Sequence, residues 1–429
     1  MKKNRVLLLF LLVFLQSVSG QKIYHHIAFL NATAHIGNGQ VIPHSLVVIN
    51  NDVIETVSSA AGLKLNYRAF DTVIDIAGKH IYPALINCNN VLGLHDAEAV
   101  RATVDFAEVG ALNPHVRALI AYNTDNLIIP TVKTNGVLYT QVTPRSGLIS
   151  GSSSIMALEG WNWEDAVLSA DDGIHLNYPR EPVGSYDDEE RLKSMTKKYA
   201  AEIQDLEKFF SDAQAYCKKT GHPEKNIRFE AMRRVFNGSG RLYVHADRVK
   251  DLISVINFVK RYQIRNPVIV GGKESYKITA DLRKNRIPVM LGRINELPDY
   301  AADQVDLVNR LPALLQKDSV LYCIQLEGDM EAMNSRNLPF NAGAAVAYGI
   351  TPEQALAAIS YNAAKITGID GKLGSLEEGK QASLVVSEGD ILDMRTNRVI
   401  LAYISGKPVT LSNRQTELYE RYRNKYGIK

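Results

Sequence analysis

One histidine at the end of an apolar run, and two carboxylates late in the chain, are the side chains best suited to chemistry. His245 closes Arg241-Leu-Tyr-Val-His. An imidazole can move a proton, ligate a metal or make a structural hydrogen bond. For a lone histidine at a strand end the structural bond is the plain reading. Glu327 and Asp329 stand in Gln325-Leu-Glu-Gly-Asp. His95-Asp96 could join either carboxylate in a metal site that activates water, but nothing in the spacing brings them together. Ser152, Ser153 and Ser154 offer hydroxyl nucleophiles. No Gly-x-Ser-x-Gly turn frames them and no histidine is placed to activate them. The Gly- and Ser-rich stretch Ser146–Ser154 therefore reads as a mobile loop. Gly271-Gly272 lacks the further glycines of a phosphate loop.

The elements that would position these groups fall into two kinds. Residues 23–79 hold short β-rich runs such as Ser45-Leu-Val-Val-Ile-Asn, divided by Gly37-Asn-Gly and Asn50-Asn-Asp. The same rhythm returns in Ala382-Ser-Leu-Val-Val-Ser and Val399-Ile-Leu-Ala-Tyr-Ile. One β-sandwich domain made from both ends of the chain is expected, from 21–79 together with 371–412. Between them, 80–370 alternates apolar runs with amphipathic helices. Gly136–Val142, Arg241–His245, Pro267–Val270, Ile287–Leu291 and Val320–Gln325 lack polar alternation, as strands buried on both faces do. Apolar residues at spacings of three and four predict a helix over 188–220. Thr351-Pro-Glu-Gln opens another with a capping box. The fold class is α/β, with a (β/α)8 TIM-like barrel beside the β domain. Cys88 and Cys323 fall on its first and last strands, neighbours in a closed ring, so a disulfide between them is one option and free thiols the other.

Residues 1–20 read as an export signal. Lys2, Lys3 and Arg5 precede an apolar run from Val6 to Leu15, and a cut at Gln21 is expected. Export would place the chain in the periplasm or outside the cell. The chain carries 49 basic and 46 acidic residues; removing the signal's three cations leaves the two equal. That balance offers no field for nucleic acid or an anionic membrane. No later apolar run suits membrane insertion. Residues 413–429 read as a charged helical tail. Three cysteines in 429 residues make no disulfide framework.

Three segments resemble the amidohydrolase superfamily, in particular its secreted imidazolonepropionase-like and prolidase-like branch. They are Gly78-Lys-His-Ile-Tyr-Pro leading into 84–91, Arg336-Asn-Leu-Pro-Phe-Asn-Ala with the stretch 351–368, and Gly374-Ser-Leu-Glu-Glu-Gly-Lys-Gln-Ala. The resemblance implies a hydrolase of C–N bonds in cyclic amides or peptide-like substrates. Its divalent metal (zinc, iron or manganese) lies at the carboxyl ends of the barrel strands and brings the pKa of a bound water to about 7. The usual ligands are His-x-His on strand one, histidines on strands five and six, and an Asp on strand eight that also shuttles protons. Binuclear members add a Lys on strand four.

Carried over by position, that set is mostly missing. Strand one offers Asn89 and Val91, strand five keeps His245, and strand six reaches Gly271. Asp329 is the nearest match to the strand-eight base, and no strand-four Lys is found. Two readings stay open. One is a hydrolase with an altered ligand set or no metal. The other is a pseudoenzyme that binds a small-molecule or peptide-like ligand, or acts as scaffold, paired with itself or with an active relative. A sugar- or peptide-binding accessory protein of the cell envelope is a variant of the second.

Overall fold

The β-branched runs at the two ends of the chain pair with one another. A computed structural model describes residues 26–97, 99–183, 189–219, 221 and 224–428; the expected signal, 1–20, and the limits 188 and 220 expected for the long helix lie outside the described residues. The first sheet takes β1 (His26–His35), β2 (Val41–Asn50), β3 (Val53–Ser59), β4 (Thr72–Asp75) and β5 (His80–Pro83) from the start of the chain. It takes β14 (Leu384–Ser387), β15 (Val399–Ile404) and β16 (Lys407–Pro408) from the end. Its order is β16-β15-β14-β5-β1-β2-β3, with β4 on β1. The two ends join where β14 runs antiparallel to β5, Leu384 opposite Pro83. Phe29, Val47, Ile49, Ile54, Ile81, Leu384 and Val386 form its buried face.

The second sheet is the barrel. Its strands are β6 (Leu85–Asn90), β7 (Val137–Val142), β8 (Ile149–Ala157), β9 (Val167–Asn177), β10 (Arg241–Ala246), β11 (Pro267–Gly271), β12 (Val289–Leu291) and β13 (Tyr322–Ile324), paired in chain order. All five middle strands expected from the sequence are present. The strand order is that of a (β/α)8 barrel, with one departure: β8 runs antiparallel to both β7 and β9.

That departure corrects the reading of Ser146–Ser154 as a mobile loop. Residues 149–157 are a fully buried strand. Small side chains are needed there because 112–117 lies against it, with Leu112 bridged to Ile149 and Arg117 to Ser152. Gly151 has φ +138°, and a Cβ would come within 2.6 Å of the Val116 carbonyl oxygen. The buried hydroxyls are satisfied, as buried polar groups must be. Ser152 donates to Asp171, Ser153 donates to Asp172, and Ser154 accepts from the Asp171 N–H. None of the three is a free nucleophile.

Among the helices, α1 (Glu189–Lys218) buries Leu206, Phe209, Phe210 and Ala213. Next, α2 (Ile227–Asn237) is capped by the Asn226 side chain and ends at left-handed Gly238. The capping box at Thr351 and Gln354 forms at the head of α3 (Pro352–Ala358). The tail is helical, as α4 (Arg414–Tyr426), and buries none of its own side chains. No helix among the described residues is long and apolar enough to cross a membrane.

The barrel seam lies between β6 and β13. There Cys88 and Cys323 are buried free thiols, and the nearness of Cys323 together with burial pushes the Cys88 thiol up, so the disulfide option is not taken. Titration under denaturing, non-reducing conditions is expected to find three thiols per chain. A value near one would mean that the seam is covalently closed.

Candidate functional site

Asn89 ends the inner run of β6 in the left-handed region, at φ +48°. Asparagine tolerates that conformation better than most residues. The Asn89 N–H donates to Gln141 at 3.0 Å, and its side-chain amide donates to Glu327 at 2.8 Å. Its side-chain oxygen is also taken. Arg145, just beyond β7, donates to it from Nη1 at 2.7 Å and to the Asn89 carbonyl from Nη2 at 2.9 Å. The same guanidinium grips Glu331, Nη2 to Oε2 at 2.8 Å. Charge-assisted bonds of this kind are short and directional. A positive charge is thus fixed at the strand-one position.

Glu327 faces His245 across the mouth, with Oε1 3.7 Å from Nδ1. Burial alone would raise the Glu327 carboxyl. The attraction of His245 and Arg145 and the bond from Asn89 outweigh it and hold the group at about 2. Behind His245 lies a second histidine. His175 Nδ1 and His245 Nε2 are 3.0 Å apart and share one proton position. The His175 ring stacks on Tyr243, centroids 4.5 Å apart. Burial, then repulsion from His245 and Arg145, pushes its pKa well below the usual histidine value, so it stays neutral. Beneath it, buried Asp172 accepts from Tyr243 at 2.5 Å, Gln141 at 2.8 Å and Ser153 at 2.8 Å. Burial raises that carboxyl against the pull of these bonds.

His245 and Glu327 line a cavity of about 380 Å³ at the carboxyl ends of the parallel strands, with Asp247, Arg248, Lys273 and Arg293 on its walls. Such a cleft, with a few converging polar groups, is the default binding site of a barrel.

The other expected site residues lie elsewhere. Val91 is packed in the apolar core. Gly271 has φ +91°, and a Cβ there would come within 2.5 Å of an Asp247 carboxylate oxygen, so the strand-six position has no room for a histidine as it stands. Asp329 is exposed and contributes only its carbonyl oxygen, to Asn334 at 3.1 Å and to Arg293; Glu327 is the carboxylate beside His245. The His95-Asp96 set does not assemble. Asp96 is held by Asn123 and Asn126, and His95 packs edge-on against Phe106.

Arg145, His175 and Glu331 escaped the sequence reading. His175 lies in Gly173-Ile-His-Leu-Asn, a run whose burial marks a strand but whose neighbours in sequence carry too many polar residues to read as one. Arg145 follows Thr143-Pro144 in what looked like loop.

Proteins of this fold family generally use divalent metals, and the residues present do not fit one. No group of three or more His, Cys, Asp or Glu suited to a metal occurs among the described residues. The Asn89 oxygen, a poor ligand for a transition metal in any case, is occupied by Arg145. A divalent ion there would also be repelled by the guanidinium in a site of low dielectric.

The comparisons with known proteins bear on fold and family. Residues 314–409 match the model of the amidohydrolase family. A search of curated proteins found no match. Among solved structures, an amidohydrolase from Thermotoga maritima is similar at 24% identity and TM-score 0.78, over 90% of this chain and 99% of that one. A Xaa-Pro dipeptidase is similar at 14% identity and TM-score 0.52, over 90% and 99%. An ochratoxinase from A. niger is similar at 12% identity and TM-score 0.53, over 90% and 95%. At these identities the likenesses establish the fold. The chain shares the fold of these structures, and residues 314–409, through the last barrel strand and the return to the β domain, carry the sequence pattern of the amidohydrolase family.

Proposed function

We propose that this chain is a ligand-binding member of a hydrolase superfamily in which a fixed guanidinium has taken the place of the metal. The observation that carries the reading is Arg145, bonded at 2.7 Å to the side-chain oxygen of Asn89, the first ligand position. Val91 in the core and the closed position at Gly271 support it. The ligand is a small molecule or a peptide-like compound seated against His245 and Glu327. The leader pattern of residues 1–20 supports action after export. A second copy of the chain, or a His-x-His-bearing relative, is the partner that this reading favours.

A second reading rests on the imidazole–carboxylate pair itself. His245, backed by His175 and facing ionised Glu327, could draw a proton from water without a metal and cleave a C–N bond slowly. One experiment separates the two. The purified chain is assayed on dipeptides and cyclic amides, with and without added zinc or manganese, beside His245→Gln and Glu327→Gln. The binding reading expects no turnover above either variant, together with ligands that raise the melting temperature. Turnover lost in both variants would replace it with the metal-free hydrolase.

A further inference from the structure

The largest cleft described is far from this mouth. It has a volume of about 740 Å³ and lies between the base of the barrel and the β15–β16 hairpin. Val167 and Leu168, which open β9, line it, whereas Asn177, which ends β9, lines the mouth cavity. At about 3.3 Å per residue the two sites are on the order of 30 Å apart.

Two features of this cleft call for a ligand. Trp161, one of only two tryptophans in the chain, stands on its rim with 93% of its surface exposed. A bare indole leaves a large apolar face in water, and tryptophan is highly buried on average. Inside, the Gln381 side-chain oxygen is enclosed yet has no hydrogen-bond partner. An enclosed acceptor left empty costs about 1–3 kcal/mol unless something fills it. Charge narrows the choice further. Glu159 on the wall is already neutralised by Lys133 at 2.6 Å. That leaves Asp165 and Lys407, one of each sign, with no ion pair among the described residues. The cleft therefore selects neither anions nor cations. An open aromatic face, a polar wall and no net charge fit a neutral polyhydroxylated ring, whose C–H face stacks on indole while its hydroxyls pair with amide and charged groups.

From this we infer that the cleft beneath the barrel is a saccharide site for neutral di- to tetrasaccharides, with Trp161 as the stacking platform and Gln381 as a hydroxyl acceptor. It is independent of the barrel mouth.

The test is an array of neutral oligosaccharides built from glucose, mannose, galactose and N-acetylhexosamines, followed by calorimetric titration of the strongest binder. The expected result is saturable binding that weakens at least tenfold in Trp161→Ala, is largely kept in Trp161→Tyr, weakens several-fold in Gln381→Leu, and is unchanged in His245→Gln. Trp161 is almost wholly exposed, so its removal leaves the fold intact, and a melting curve checks this. No binding to any array member at millimolar concentration would overturn the inference. So would binding indifferent to Trp161→Ala, or binding lost in His245→Gln.

Discussion

Replacing Arg145 with leucine is expected to destabilise the fold by about 3–5 kcal/mol near pH 8, the usual cost of removing one partner from a buried ion pair. The guanidinium is the only charge facing Glu331 among the ion pairs described, and both side chains are largely buried, at 19% and 11% exposure. It also saturates the Asn89 side-chain oxygen and carbonyl. Its loss strands all three groups, and desolvated groups without partners are what make such deletions expensive. Burial already pushes the Glu331 carboxyl upward against the pull of Arg145. Without Arg145 that carboxyl should accept a proton readily, so the penalty is expected to shrink by pH 5. Urea denaturation at the two pH values reads both effects. Adding Glu331→Gln to the Arg145→Leu variant should recover part of the loss. A cost below about 1 kcal/mol at pH 8, the range of an exposed pair, would show that the guanidinium is not locked in place.

The second large effect concerns acid. His175 is buried, and its pKa is well below the histidine norm in the folded state. The unfolded chain, with an imidazole near 6.5, therefore binds a proton that the folded chain refuses. The stability that His175 contributes is fully present above pH 6.5 and is lost as pH falls below it, by about 1.4 kcal/mol per pH unit until the folded group also titrates. Glu327, held at about 2, adds a lower window. Its contribution is present above its unfolded pKa of about 4.3 and is lost as pH falls towards 2. Unfolding free energy measured from pH 8 to 4.5 should therefore slope more steeply in the wild type than in His175→Gln. Equal slopes would mean that the folded interior admits a charged His175.

The barrel and the two-ended sheet were legible because burial writes itself into composition. Strands covered on both faces show unbroken apolar runs, and Thr351 with Gln354 announces its helix through the chemistry of unpaired N–H groups. The antiparallel β8 was hidden because its neighbours demand glycine and serine, the residues that also make loops. At the site, the absences were readable. Asn89 and Val91 could be found by position in the family pattern, and Gly271 by the strand it ends. What filled the space was not readable. Arg145 is brought to Asn89 from 56 residues away, Glu331 to Arg145 from 186 and His175 to His245 from 70, and no local pattern records such pairings. Glu327 was in view, but Asp329 matched the family's residue type; only the turn after β13 decides which carboxylate points inward.

The central claim is that a guanidinium stands where the family holds its metal. The most direct test is elemental analysis of the purified chain, before and after loading with zinc, iron or manganese. The expected value is close to zero metal per chain in every case. One metal per chain that survives dialysis, and is lost with His245→Gln, would contradict the account and return this barrel to the metal-dependent hydrolases.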